Sequence, residues 1–306
     1  MSAFSSHPLW RSMLFVPANV PRFIDKAHRR GADAIILDLE DSVIPPEKAA
    51  ARQAVREAAK IVGQAGADVT VRINRAWRLA VRDVEAVVCR EVCALILPKT
   101  EGPEHIRAIA EVVEEVEAEL GLEVGHTKLI ALVETPDAYF LLREIAKAHP
   151  RLIAMTLGAE DFSLEMNMPP TPDGLSHAVR ECAIAARAGG LMPMGFVGTL
   201  SDFADRDAFQ RMAEQGRALG FEGAFCIHPD QVAILNDAFG PSAGEVDTAK
   251  RVIGAFDAAK RDGLGAVKLD GKMIDIPVVE RARKTLIQYE KIANRQAMLA
   301  ANEKTP

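Results

Sequence analysis

Apolar residues in this chain come in short, nearly continuous runs that turn charged at their last positions. "IILDLED" (35–41), "VTVRIN" (69–74), "LILPKTEG" (95–102), "LIALVET" (129–135) and "LIAMTLGAED" (152–161) all open on aliphatic residues and close on Asp, Glu, Arg or Lys. Runs without strict alternation are what strands buried on both faces require. Eight are predicted, over 12–18, 33–40, 68–74, 93–99, 128–134, 152–159, 192–199 and 223–229. Between them lie segments with helical spacing: "PRFIDKAHRR", "PEKAAARQAVREAAKIV", "EHIRAIAEVVEEVEAEL", "PDAYFLLREIAKAH", "LSHAVRECAIAARAG" and "RDAFQRMAEQGRAL".

Alternating β and α segments define an α/β protein, and eight such units in about 230 residues predict a closed (β/α)8 barrel, the TIM barrel. The rival is a doubly wound sheet, but no strand leads into G-x-G-x-x-G or a Walker loop. The barrel explains the charged strand ends, because its active site lies at the carboxyl ends of the strands. The catalytic barrel is expected over 1–235 and a C-terminal extension over 236–306. That extension reads as a helix, a strand-like "GAVKLDGKMIDIP" and a long final helix. It is too short for a domain and is expected to pack on its own barrel or on a neighbour's.

Composition narrows the partners. A net charge of −6 offers no basic footprint for nucleic acid, and hydrophobic content of 49% with 26% charged residues is ordinary for a globular protein. No apolar run approaches the roughly 20 residues of a membrane span, and the first residues lack the apolar stretch of a secretory signal. Four scattered cysteines (Cys89, Cys93, Cys182, Cys226) make neither a disulfide framework nor a zinc site. A cytoplasmic protein is expected.

The strand ends supply Asp38, Glu40 and Asp41, then Arg72, Lys99 and Glu101, Glu134, Glu160 and Asp161, and finally His228. Carboxylates dominate, and no serine or cysteine is paired with a base. Such a mouth suits a hard cation, with Mg²⁺ expected and Mn²⁺ acceptable to the same oxygens. Glu134 and Asp161 occupy equivalent points on consecutive strands and can converge on one ion. Taken singly, each carboxylate could equally cap the helix that follows. Arg72 has the planar fork that matches a carboxylate or a polarised oxygen, and an ion pair with Asp38 or Glu40 is compatible with that role. Lys99 could form a Schiff base, but among carboxylates it reads better as a charged partner. His228, beside Pro229, is either a base or a turn residue.

Taken together and in order, "RSMLFVPANVPRFIDKA", "ADAIILDLEDSVIPPEKAAAR", "VRIN", "LPKTE", "LVETP", "GAEDFS", "IHPDQV" and "GKMIDIP" resemble the citrate lyase β-subunit-like family. This group of the HpcH/HpaI aldolase/citrate lyase superfamily includes malyl-CoA and citramalyl-CoA lyases. The resemblance runs from about residue 11 to 290. It implies a TIM barrel with Mg²⁺ held by Glu134 and Asp161 and Arg72 on the oxygen of the reacting substrate. Glu40 and Asp41 join the catalytic group, and Phe15, Pro17 and Lys99 join Arg72 in binding substrate. It further implies that Asp275, in the "MID-P" motif, reaches a neighbouring subunit's site, within a trimer or a dimer of trimers. The expected reaction is carbon–carbon cleavage of a 3-hydroxyacyl-CoA such as malyl-CoA or citramalyl-CoA to acetyl-CoA and a 2-oxo acid, or the reverse. The alternatives are a metal-dependent aldolase on a free hydroxy or oxo acid, and a β-type subunit of a citrate lyase complex. The chain departs from the family pattern at Pro17-Ala18-Asn19, at Met194-Gly195 and at Gly223-Ala224, all positions that bear on the thioester.

Overall fold

The computed structural model describes residues 7–200 and 205–302. The chain forms two compact units, one of Trp10–Phe239 and one that combines Gly240 onward with the residues up to Leu9.

The first unit alternates strand and helix: β1 (Ser12–Pro17), α1 (Pro21–Ala27), β2 (Ala34–Asp38), α2 (Lys48–Gly63), β3 (Asp68–Arg72), α3 (Trp77–Val87), β4 (Val92–Leu97) and α4 (Pro103–Glu119). It continues with β5 (Lys128–Val133), α5 (Pro136–Phe140), α6 (Leu142–Ile145), β6 (Leu152–Leu157), α7 (Ala159–Glu165) and α8 (Pro172–Ala188). The last turn of the ring is β7 (Met192–Pro193), α9 (Arg206–Ala218), β8 (Ala224–Cys226) and α10 (Pro229–Ala238). All pairings are parallel, in the order β7-β6-β5-β4-β3-β2-β1-β8. A bridge between Met194 and Gly223 joins the two ends and closes the barrel. The expected (β/α)8 fold is what forms.

Side chains leave a strand on alternate faces, so the two faces of each strand have separate tasks. Ala34 and Ile36 of β2, Ala94 and Ile96 of β4, and Ile130 and Leu132 of β5 form one cluster with Met13 and Phe225, filling the barrel. Ile35, Leu37, Val71, Leu95 and Leu129 pack outward with the helices. The inward rows do not stop at the last apolar residue. Continued by two, they place Pro17 after Met13 and Phe15, Asp38 after Ile36, Arg72 after Thr70, and Glu134 after Leu132. The period of the strand therefore carries these side chains to the mouth.

Seven predicted strands lie within a few residues of the observed ones. β7 is the correction: 192–199 was expected and only two residues form a strand. Pro193 cannot donate to a ladder, and Gly195 and Gly198 adopt φ of 119° and 147°, outside the β region. The helices α3, α7 and α10 add to those predicted, and the helix expected over 136–149 is broken at Leu141 into α5 and α6.

The second unit pairs α11 (Ala243–Arg261) with α12 (Ile276–Asn302), joined by an antiparallel hairpin of β9 (Val267–Leu269) and β10 (Lys272–Ile274). Val252, Phe256, Ile274 and Val279 form its core. The Lys291 ammonium donates to the His7 carbonyl at 2.7 Å, tying the first described residue to α12. No helix among the described residues is long and apolar enough to cross a membrane.

Candidate active site

Pro17, Asp38 and Arg72 are register partners on three adjacent strands, Pro17 opposite Asp38 and Asp38 opposite Arg72. Adjacency becomes a bidentate pair: Arg72 Nε donates to Asp38 Oδ1 and Nη2 to Oδ2, both at 2.7 Å. Arg72 Nη1 lies 2.9 Å from Glu40 Oε2, off hydrogen-bond geometry, and 3.5 Å from Asp41 Oδ2. A guanidinium has five N–H groups. Asp38 takes two and Nη1 faces Glu40 and Asp41, which leaves the second N–H of Nη2 for an oxygen in front of it. The Arg72 guanidinium carbon also lies 4.8 Å from the Phe15 ring centroid, and Phe15 meets Phe225 edge to face at 5.5 Å. Acid on one side and an aromatic face on the other fix the fork.

Burial works to raise the Asp38 carboxyl, but the hydrogen bonds and charge of Arg72, aided by the Ser42 side chain and the Glu40 amide, hold it below the usual range. Glu40 goes the other way. Burial outweighs its cationic neighbours and pushes it up.

Glu134 follows β5 directly and is almost fully buried. Its Oε2 accepts from the main-chain N–H of Lys99, which adopts a left-handed φ of 46°. A Cβ at Gly158 would lie 2.5 Å from Glu134 Cγ and 2.7 Å from Oε1, so the glycine in "GAED" leaves the room this carboxylate occupies. Burial, reinforced by the nearby Asp161 and Glu40 charges against the opposing Lys99 contacts, pushes Glu134 up to about 8. The Lys99 ammonium bridges the cluster, 3.3 Å from Glu40 Oε1 and 3.3 Å from Asp161 Oδ1. Burial lowers its basicity, but the carboxylates of Glu40 and Asp161 more than restore it, so it remains a cation. A Schiff base needs a neutral amine, and this pairing favours the charged form.

These groups surround a cavity of about 530 Å³ at the carboxyl ends of the strands. Phe15, Pro17, Asp38, Asp41, Arg72, Glu134 and Asp161 line it. Glu40 and Lys99 are not among its lining residues but contact Arg72 and Asp161. Leu132, Phe196 and Phe225, with the hydroxyl-bearing Thr156, supply a mainly apolar wall that the strand ends did not single out; Leu132 and Thr156 are the two on β5 and β6. The inward period of those strands could have found both. Asp275 lies in the other unit, where its Oδ1 accepts from Val278 N at the start of α12. His228 takes the turn reading: its Nδ1 accepts from Asp230 N, and Gln231 Oε1 accepts from the His228 amide, capping α10.

Among the described residues no three His, Cys, Asp or Glu side chains gather into a cage for an ion. Glu134 and Asp161, both reached by Lys99 and both facing an open cavity, offer two hard oxygen ligands. That donor set fits Mg²⁺, which keeps waters and substrate oxygens in its remaining positions.

A closed (β/α)8 barrel with a carboxylate-rich mouth and one anchored arginine defines the class, and comparison with known proteins agrees. Residues 11–229 match the HpcH/HpaI aldolase/citrate lyase family. The chain belongs to that family. It is 37% identical over 285 residues to citrate lyase subunit beta of Escherichia coli, covering 92% of this chain and 93% of that protein. It is 35% identical over 296 residues to a (3S)-malyl-CoA thioesterase of Cereibacter sphaeroides, covering 95% and 98%. Among solved structures, protein CitE of Mycobacterium tuberculosis in complex with magnesium, acetoacetate and coenzyme A superimposes with a TM-score of 0.73 at 30% identity. That match covers 94% of this chain and 99% of that one.

Proposed function

We propose that this protein is a Mg²⁺-dependent carbon–carbon lyase acting on a 3-hydroxyacyl-CoA such as malyl-CoA or citramalyl-CoA, and yielding acetyl-CoA and a 2-oxo acid. The observation that carries the reading is the arginine fork, fixed by Asp38, lining one cavity with Glu134 and Asp161. The coenzyme A and magnesium in the similar CitE structure support the thioester and the ion.

Glu134 and Asp161 would hold Mg²⁺, which when bound polarises the oxygen of the 2-oxo acid as a Lewis acid. As the 3-hydroxyl proton passes to a carboxylate of the mouth, the carbon–carbon bond breaks and its electron pair leaves negative charge on the thioester oxygen of the acetyl half. The free N–H of Arg72 Nη2 meets that oxygen, and because Asp38 and Phe15 already hold the fork, little reorganisation is needed as charge develops. Phe15 and Pro17 form the adjoining wall and exclude water from the enolate. Asp275 gives the proton to, or takes it from, the acetyl methyl carbon, as general acid or base from a neighbouring subunit. Beside it Met273 and Ile276 are 73% and 65% exposed, as apolar residues that dock elsewhere would be.

The test is a panel of malyl-CoA, citramalyl-CoA and the free hydroxy acids, with acetyl-CoA, 2-oxo acid and free thiol measured separately. Acetyl-CoA with an equal amount of 2-oxo acid is expected, and chelation should abolish both. Turnover confined to free acids, or full activity after chelation, would overturn the reading. Free thiol with intact malate would instead mark hydrolysis, the activity named for the Cereibacter relative.

A further inference from the structure

Asp38 and Glu40 fix Arg72, yet Glu40 sits at the start of a loop with little packing of its own. Of residues 41–47 only Val43 is buried. Lys48, the first residue of α2, supplies what packing does not. Its Nζ donates to the Leu39 carbonyl at 2.8 Å, to the Glu40 carbonyl at 2.6 Å and to Asn74 Oδ1 at 2.6 Å. An ammonium has three N–H groups, and each has an acceptor. The two carbonyls belong to the peptide groups on either side of the Glu40 Cα. Holding both fixes the backbone dihedrals of residue 40, and with them the direction in which its side chain leaves.

The third contact is anchored deeper. Asn74 donates from its amide nitrogen and from Nδ2 to Asp83 Oδ2, at 2.8 and 2.7 Å. Asp83 Oδ1 accepts from Arg52 Nε at 2.5 Å. Asp83 is fully buried, Asn74 and Arg52 nearly so. Lys48 and Arg52 are four residues apart on α2, hence on one face of it. A chain of polar contacts thus runs from the interior between α2 and α3 to the peptide groups of Glu40.

We infer that Lys48 is a positioning residue for the site: by clamping both peptide carbonyls of Glu40 it sets where that carboxylate meets Arg72 and Lys99. An anchor for α2 alone would need one acceptor anywhere on the loop. The choice of the two carbonyls that bracket Glu40 ties the contact to that side chain.

The crystal structure of Lys48→Met, which keeps the length and removes the donors, tests this without a substrate. Glu40 should move beyond ion-pair distance, about 4 Å, of both Arg72 Nη1 and Lys99 Nζ. Retention of both contacts would overturn the inference. A kinetic arm rests on the proposed lyase function. Lys48→Met should lower kcat on the order of 100-fold with little change in KM, and Glu40→Gln with Lys48→Met should be no worse than Glu40→Gln alone. Losses that multiply would show Lys48 acting apart from Glu40, against the inference. Should Lys48→Met not fold, Lys48→Arg keeps the charge but spreads its donors over a planar fork. It should shift Glu40 in the same sense, and unchanged contacts would overturn the inference equally. Wild-type protein inert toward every thioester would refute the lyase reading while leaving the crystallographic result to decide this one.

Discussion

At the scale of single residues, the site depends on a few side chains placed by their neighbours. Arg72→Lys removes the fork that Asp38 grips at two points, and an ammonium cannot reproduce it. Turnover should fall by a factor on the order of 100 or more, measured as kcat on the best thioester, with the fold unchanged by circular dichroism. Gly158→Ala places a methyl group 2.5 Å from Glu134 Cγ. Glu134 would have to turn away from the Lys99 amide, so Mg²⁺ affinity by calorimetry should drop at least tenfold, about 1.4 kcal/mol. An unchanged affinity would mean that Glu134 is not a ligand. Asp38, Arg72 and Glu134 were legible because a charge that ends an apolar strand of a barrel has only the mouth to go to. Gly158 and Lys48 were not, because one acts by lacking a side chain and the other through main-chain carbonyls, and neither leaves a chemical signature in the sequence.

Among elements, the strands were easier to read than their ends. Five of them bury long aliphatic runs, and burial on both faces leaves no other reading. β7 was overrun because Met192–Pro193 continues into apolar Met194, Phe196 and Val197, which hide the positive φ angles at Gly195 and Gly198. The helix α3 was missed because it starts only two residues after the strand-end "VRIN" and opens on Trp77, one of its more exposed residues. Trp77 meets His105 of α4 edge to face at 5.2 Å, and His105 Nδ1 accepts from Glu101 N. Burial, with the Arg75 charge, pushes His105 down to about 4 from its ordinary 6.5. The unfolded chain therefore binds a proton here before the folded one does. Stability from this group is complete above pH 6.5 and is lost as pH falls toward 4. The slope can reach about 1.4 kcal/mol per pH unit. Urea denaturation between pH 7.5 and 4.5 should show this slope, and His105→Gln should flatten it. An unchanged slope in that variant would assign the acid sensitivity elsewhere.

For the molecule as a whole, the proposed reaction needs Asp275 and the barrel residues at one site. Asp275→Asn and Glu134→Gln proteins, each inactive, should regain a fraction of activity when mixed under conditions of subunit exchange. Asn is the right replacement, since it caps a helix as well as Asp does and so preserves the contact to Val278 N. No recovery after demonstrated exchange would place Asp275 outside a shared site. The barrel's closure carries a different consequence. Seven neighbouring pairs of strands are held by ladders, but β7 meets β8 through a single bridge at Met194 and Gly223. Few hydrogen bonds there must break to part the strands, so the ring has a seam along which it can breathe without unfolding. Gly195, Phe196 and Gly198, which belong to the cavity wall, follow directly from that seam. Native-state hydrogen exchange should find the amides of Gly195 and Glu222, which donate across the seam to Gly223 and Pro193, opening well before those of β2 to β5. The wall that faces the substrate would then be able to yield to its shape.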